Sequence, residues 1–328
     1  MSTDAQTIEI PLETERGRPV VLPVLLFLVT CVSTFWTGAV DWKPLVHMNA
    51  LQSAVTVFEQ NRGQGSPALA LEQALAVAQI KWVQGLMYMG VVMVLLLSHE
   101  MGHFLMALRH RIPASLPYFI PLPIAPFGTL GAVIGMEGSR ANRREMFDLG
   151  LAGPLAGLAV TIPVLLIGIR RLPAAAASFT PDSFCFHNPL ILQYLIAWLR
   201  PEYPTPGVLY LNQFNPFLMA GWVGLLITGL NMLPVSQFDG GHVAYALLGQ
   251  KAHVLARGLI VAAIVFMVVW DTYFWLLMFL LVLLIGVDHP PTADDDCRPG
   301  RLRQAIGWAA LLIPIFCFPP LGITAVGR

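Results

Sequence analysis

Four stretches of this chain, 20–40, 82–108, 147–169 and 217–233, are apolar almost without interruption. A helix needs roughly 20 such residues to cross the hydrocarbon core of a bilayer. A fifth run, 258–287, is interrupted only by Asp271 and is too long for one comfortable crossing. It is expected to form two short helices that turn near Asp271. A last run, 305–323, is weakened by Pro314, Pro319 and Pro320. The expected fold is an all-α polytopic membrane protein with about six to seven transmembrane helices. Composition agrees, because only 12% of the 328 residues are charged, about half the ~25% of soluble domains. So few charges cannot cover a soluble surface, and so apolar a chain is not disordered. Lys and Arg number 19 and so do Asp and Glu, which gives no reason to expect nucleic acid as a partner.

The runs divide the chain into a leader (1–19), a first transmembrane anchor (20–40), an outer loop (41–81), a membrane core (82–249) and C-terminal transmembrane helices (250–328). The leader is acidic and 37–41 is a poor cleavage site, so the first run reads as a retained anchor rather than a signal peptide. With the N-terminus inside, twelve basic residues, among them Arg109, Arg111, Arg143 and Arg257, fall on the cytoplasmic side against seven outside. That bias sets the expected orientation. Together with the absence of a transit peptide it points to a bacterial plasma membrane. Within the outer loop, 66–81 has helical composition and is expected to lie on the membrane surface. Four prolines in the first half of 116–138 forbid a continuous helix, while 128–136 reads as a glycine-punctuated strand. This segment either dips into the membrane as a hairpin or rests at the interface. The four cysteines, Cys31, Cys185, Cys297 and Cys317, show no C-x-x-C spacing, so neither a disulfide framework nor a thiolate zinc site is expected.

Inside the second run stands His99-Glu100-Met-Gly-His103. Residues four apart share one helix face, so two imidazoles at this spacing grip one metal ion. Glu100 follows His99 by about 100° of helix rotation. That sets a carboxylate beside the metal, where it can act as general base and acid. Each of these ionisable groups costs at least ~2–3 kcal/mol near mid-bilayer unless it pairs or faces water. Satisfied core histidines are therefore the weaker reading. A tetrahedral site with one open position needs a third protein ligand. The candidate is Asp239, in Asn231-Met-Leu-Pro234-Val-Ser-Gln-Phe-Asp239-Gly-Gly-His242, where Pro234 breaks the helix and two glycines permit a tight backbone. His242 either competes with Asp239 for the metal or orients it. Asn231 either donates to a developing oxyanion or makes an interhelical hydrogen bond. His110, His253 and His289 read as solvated. Gly153 and Gly157 form a G-x-x-x-G that lets helix backbones approach closely.

These residues carry a resemblance. H-E-x-x-H in an early span, followed over a hundred residues later by N-x-x-P-x-x-x-x-D-G, is similar to the site-2 protease family of intramembrane zinc metalloproteases. The stretches PYFIP, FGTLGAVI and RREMFDLGLAGPLAG resemble its compact archaeal and chloroplast-type branch, and no loop here is long enough for a PDZ insertion. The match covers roughly 89–248. It implies one zinc ion held by His99, His103 and Asp239, Glu100 as the catalytic base, and Asn231 assisting substrate or oxyanion. It also implies a re-entrant β-hairpin at 116–136 between the second and third spans. The substrate implied is a transmembrane helix of another membrane protein, unwound before cleavage. The strand at 128–136 would offer its edge to hold that substrate extended. An ion or solute transporter explains the broken helix at Pro234 but not the ordered histidines and glutamate. A silent homologue acting as a scaffold is disfavoured by the intact motif.

Overall fold

The computed structural model describes residues 20–49, 52, 81–173, 184–204 and 206–325. The leader and most of the outer loop, with its expected surface helix, lie outside these residues. Helices α1 (Val21–Ala39) and α2 (Trp82–Arg109) form where the first two apolar runs predict them. An antiparallel hairpin follows, β1 (Tyr118–Leu122) with β2 (Gly128–Val133), its register shifting between Ile120 and Pro121. Helix α3 (Arg143–Arg170) begins four residues ahead of its apolar run. The reason is a capping box: Asn142 accepts from the N–H groups of Arg144 and Glu145, and Glu145 accepts from the N–H of Asn142.

Beyond α3 come β3 (Phe184–His187), α4 (Leu190–Leu199) and β4 (Val208–Tyr210). Next is α5 (Pro216–Asn231), started by Pro216 and by the Asn215 side chain accepting from the Leu218 N–H. Helices α6 (Asp239–Leu248), α7 (Lys251–Trp270) and α8 (Leu276–Ile285) follow. The fifth apolar run is split as expected, with Asp271 in the left-handed region at the end of α7. The sixth run departs from expectation: it gives two short helices, α9 (Arg301–Ala310) and α10 (Ile313–Cys317), and then β5 (Ile323–Ala325). Proline in a helix interior removes a hydrogen bond and clashes with the preceding turn. Pro314 is tolerated at the start of α10, while Pro319 and Pro320 end it.

Helices α1, α2, α3 and α7 are long and apolar enough to cross a membrane; α4, α5 and Tyr273–Ile285 are shorter apolar helices. Large apolar side chains stay exposed along the outer faces, Val21 at 82%, Leu284 at 85% and Val268 at 67%, as a lipid-facing surface requires. The chain is a mostly helical membrane protein. Its β content exceeds expectation, because β4, β3 and β5 form an antiparallel sheet in that order. Phe186 of this sheet is fully buried and packs on Phe214 and Trp222, with ring centroids 4.8 and 5.3 Å away.

The centre of the molecule is α5, whose Leu218, Met219, Ala220, Trp222 and Leu225 are fully enclosed. It lies against α3 at close quarters, and Gly168 carries much of that contact: a Cβ there would stand 2.5 Å from the Leu218 nitrogen. Backbone cannot yield as a flexible side chain does. Gly168→Ala is therefore expected to lower stability by about 1–3 kcal/mol, read as an earlier unfolding transition of the detergent-solubilised chain. Gly90→Ala, where nothing lies within 4 Å of the added carbon, serves as the neutral comparison.

Candidate metal centre

His99, Glu100 and His103 occupy the inward face of α2, each 3–4% exposed. The four-residue spacing brings the two imidazoles together, Nε2 to Nε2 at 3.2 Å. Asp239 reaches them from the other half of the core. Helix α5 stops at Asn231, the chain turns through Pro234 and Ser236 (φ 53°), and α6 starts on Asp239 itself. The turn closes tightly because a Cβ on Gly240 would lie 2.0 Å from the Met232 oxygen, and one on Gly241 2.2 Å from that of Ser236. Asp239 Oδ2 then lies 3.3 Å from His99 Nε2 and Oδ1 lies 3.3 Å from His103 Nε2.

The backbone of α3 forms the remaining wall. A Cβ on Gly153 would stand 2.0 Å from His103 Nε2, and one on Gly157 3.1 Å from His99 Nδ1. On Gly150 it would meet the Asp239 oxygen and the His242 Cβ, both at 2.8 Å. The G-x-x-x-G face thus packs on the two histidine side chains, and Gly150 extends it to α6. The sequence reading treated these glycines as packing alone. The signal that ties them to the site is their three- and four-residue spacing.

The donor set fits a small divalent cation. Zinc–nitrogen and zinc–oxygen bonds of about 2.0–2.1 Å in a tetrahedron put ligand atoms ~3.3 Å apart, and the three separations here are 3.2, 3.3 and 3.3 Å. His103 Nδ1 lies 2.9 Å from the Leu149 carbonyl. Donating there leaves Nε2 as a lone pair facing the other two residues. Asp239 Oδ2 is buried without a hydrogen-bond partner, an arrangement costly unless a cation completes it. Among the described residues, this trio alone gathers three metal-ligating side chains at such range.

The trio and Glu100 open onto a cavity of about 570 Å³. Asn231 Nδ2 lies 3.1 Å from His99 Nε2, so the Asn231 amide reaches the point on which the ligands converge. The far end of β2 and the residues after it, Val133 to Met136, line the same cavity. Four histidines differ from expectation. His289 is 5% exposed rather than solvated and lines the cavity with Pro290. It takes His242 as partner, Nδ1 to Nε2 at 2.7 Å, and stacks on Tyr245 at 4.4 Å. No hydrogen bond joins His242 to Asp239 in the described contacts, so the orienting role expected for it is not what its geometry serves. His110 pairs with Asp148 at 3.2 Å, and His253 with the His289 carbonyl at 3.0 Å. In the same loop, hydrogen bonds from Thr292 and then Tyr245 hold the Asp295 carboxyl below its ordinary range.

Because the Gly153 position abuts a ligand nitrogen, Gly153→Ala is expected to weaken zinc binding roughly 10- to 100-fold without altering any ligand. Competition against a chromophoric chelator measures it. Affinity equal to that of the unaltered chain would refute the packing argument.

Comparison with known proteins points the same way. A model of peptidase family M50 matches residues 87–271. The probable chloroplastic zinc metalloprotease EGY1 of Arabidopsis thaliana is 28% identical over 312 residues, which are 92% of this chain and 53% of that protein. The related EGY2 of the same plant is 26% identical over 224 residues, 67% of this chain and 39% of its own length. EGY1 of Oryza sativa subsp. japonica is 30% identical over 240 residues, 71% and 38% of the two chains. The chain thus spans about half the length of these relatives, or less. No solved structure matches it. The family match covers more than half of the chain and takes in His99, Glu100, His103, Asn231 and Asp239, and this chain belongs to peptidase family M50, the site-2 protease family.

Proposed function

We propose that this chain is a zinc-dependent intramembrane endopeptidase that hydrolyses peptide bonds in or beside transmembrane helices of membrane-protein substrates. The observation that carries this reading is the convergence of His99, His103 and Asp239 on one point, beside the buried Glu100, in a cavity within the helical core. His99, His103 and Asp239 hold the ion. Zinc in such a site supplies Lewis acidity toward a peptide carbonyl and lowers the pKa of water toward ~7. Glu100 takes the proton from the attacking water and delivers it to the leaving amine. The Asn231 amide donates to the oxygen on which charge develops. Leu149 keeps His103 in the required tautomer.

A helical peptide bond is shielded by its own hydrogen bonds, so substrate must be extended before cleavage. The β1–β2 hairpin is read as a re-entrant element whose β2 edge receives the unwound substrate as an added strand. Supporting this, among the described residues β2 pairs with β1 alone, and its far end borders the cavity of the metal centre.

The division of the chain expected from sequence is retained, with the catalytic core at 82–249. Seven crossings are favoured over six by strand pairing. β5, after the last helices, pairs with β3, which lies between α3 and α5, so the chain must return to the β3 side. The basic bias of the loops supports a cytoplasmic orientation for the metal-bearing ends, in a bacterial plasma membrane. The relatives named above are chloroplastic proteins. Family membership and the complete donor set favour the protease over a transporter or a silent scaffold.

In the test, the purified chain is reconstituted into vesicles with a single-pass substrate and assayed with and without a chelator. Glu100→Gln is expected to keep one zinc per chain while cleavage falls by roughly 10²- to 10⁴-fold. Undiminished cleavage by that variant would remove Glu100 from the mechanism.

A further inference from the structure

Helix α1 carries a feature that the catalytic reading leaves unused. Its outer face is apolar and exposed, with Val21, Leu25, Leu28 and Val32 all more than half exposed. Its inner face is a row of buried hydroxyls, Thr30, Ser33, Thr34 and Thr37. Spacings of three and four put these on one stripe. Thr34 turns back on its own helix, donating to the Thr30 carbonyl at 2.8 Å, while Ser33 and Thr37 reach outward to polar groups of a neighbour.

That neighbour is the turn of the hairpin. Ser33 Oγ donates to the Gly128 carbonyl at 2.5 Å, and Thr37 Oγ1 to that of Ala125 at 3.4 Å. From the other side, Tyr88 of α2 donates its hydroxyl to the Phe127 carbonyl at 2.9 Å. The Ala125 carbonyl also accepts from the Gly128 N–H within the turn at 3.1 Å, and the three outside donors tie the turn's carbonyls to α1 and α2. Contact is backbone against backbone: a Cβ on Gly128, whose φ is +73°, would lie 2.8 Å from the Thr34 Cα and 2.9 Å from the Ser33 oxygen.

Gly128 is also the first residue of β2. Five residues on, roughly 17 Å along an extended strand, Val133 reaches the catalytic cavity. The strand between is stiffened at its bulge, where Thr129 Oγ1 donates to the Ile120 carbonyl at 2.9 Å and accepts from the Gly131 N–H at 3.0 Å. Its far end is held by Ser115, whose Oγ accepts from the Gly135 N–H at 2.9 Å. One end of the strand is therefore clamped to α1 and the other borders the site.

We infer that Ser33, Thr37 and Gly128 are positioning residues that fix the register of β2 against the metal centre, so that α1 sets which substrate bond meets Glu100. This deepens the protease reading and rests on it. A strand seated on the β2 edge moves with that edge. A shift by one residue along a strand brings a different bond over the site.

The experiment uses the full chain with zinc in vesicles containing a single-pass substrate, with products mapped by mass spectrometry. Ser33→Ala and Gly128→Ala are expected to lower kcat/KM by roughly tenfold. They should also add products cut one or two residues from the original position, with zinc content unchanged. Val32→Ala, on the lipid-facing side, should leave rate and product pattern as they were. A merely destabilised fold loses active enzyme but keeps a single cleavage position, so rate loss without new products would overturn the inference. Unchanged rates and products in both variants would overturn it equally. An unaltered chain that binds zinc and cleaves nothing would sink the protease reading, and this inference with it.

Discussion

Everything in the core depends on how closely α3 can approach the histidine-bearing face of α2. Between helices in lipid no hydrophobic force drives association, so contact must come from backbones that fit together. Gly102 of α2 and Gly153 and Gly157 of α3 remove the side chains that would hold the two apart, and Gly150 does the same between α3 and α6. A Cβ at Gly102 would stand 2.5 Å from the Ala152 oxygen. The same α3 face then meets His103, His99 and the start of α6 in succession. One bare helix surface therefore locates His99, His103 and Asp239, which come from two distant parts of the chain. Imidazoles pressed between backbones have few rotamers available, and a metal site needs its ligands held in that way.

The second constraint is non-helical backbone inside the helical core. The stretch 232–238 is not helical, and its carbonyls need partners inside the protein. The two glycines at the head of α6 let that helix fold back on Met232 and Ser236. The Ser236 N–H then donates to the Val287 carbonyl at 3.0 Å, beyond the end of α8. The helix break that frees Asp239 for the metal is thereby closed by the chain that follows.

Much of this was legible in the sequence, for identifiable reasons. His99 and His103 lie one helical turn apart in a run that can only be helix, so their convergence follows from geometry. Asp239 was found from breakers, because an acid after Pro234 and before two glycines has few places to go. For the hairpin, prolines forbid a helix over 116–138 and glycines punctuate a strand at 128–136, which leaves a hairpin or an interfacial loop, and only the family resemblance implies the pairing. The sheet β4–β3–β5 was not legible: strands of three or four residues carry no measurable period, and β3 and β5 are joined only by tertiary contact. His289 was misread for a related cause. Its neighbours Asp288, Pro290 and Thr292 look like a solvated turn, yet the segment is drawn inward by contacts with residues far away in the chain.

That inward turn explains why so polar a segment lies against the helical core. Arg143, 6% exposed at the start of α3, donates from Nε and its terminal nitrogen to the Ala246 carbonyl near the end of α6, at 3.1 and 2.8 Å. Its other terminal nitrogen reaches the Asp295 carbonyl at 3.0 Å, while Tyr245 donates to the Asp295 carboxylate at 2.9 Å. Further along, Arg303 of α9 grips both oxygens of Asp148 in α3, at 2.8 and 3.0 Å. A planar guanidinium makes such paired contacts with little loss of freedom. A ten-residue helix such as α6, with Asp239 at its first position, is marginal by itself. Here α3 holds its glycine end by close packing and its far end through Arg143. The segment after α8 lies over it, so Asp239 inherits the rigidity of α3 rather than that of the loop before it.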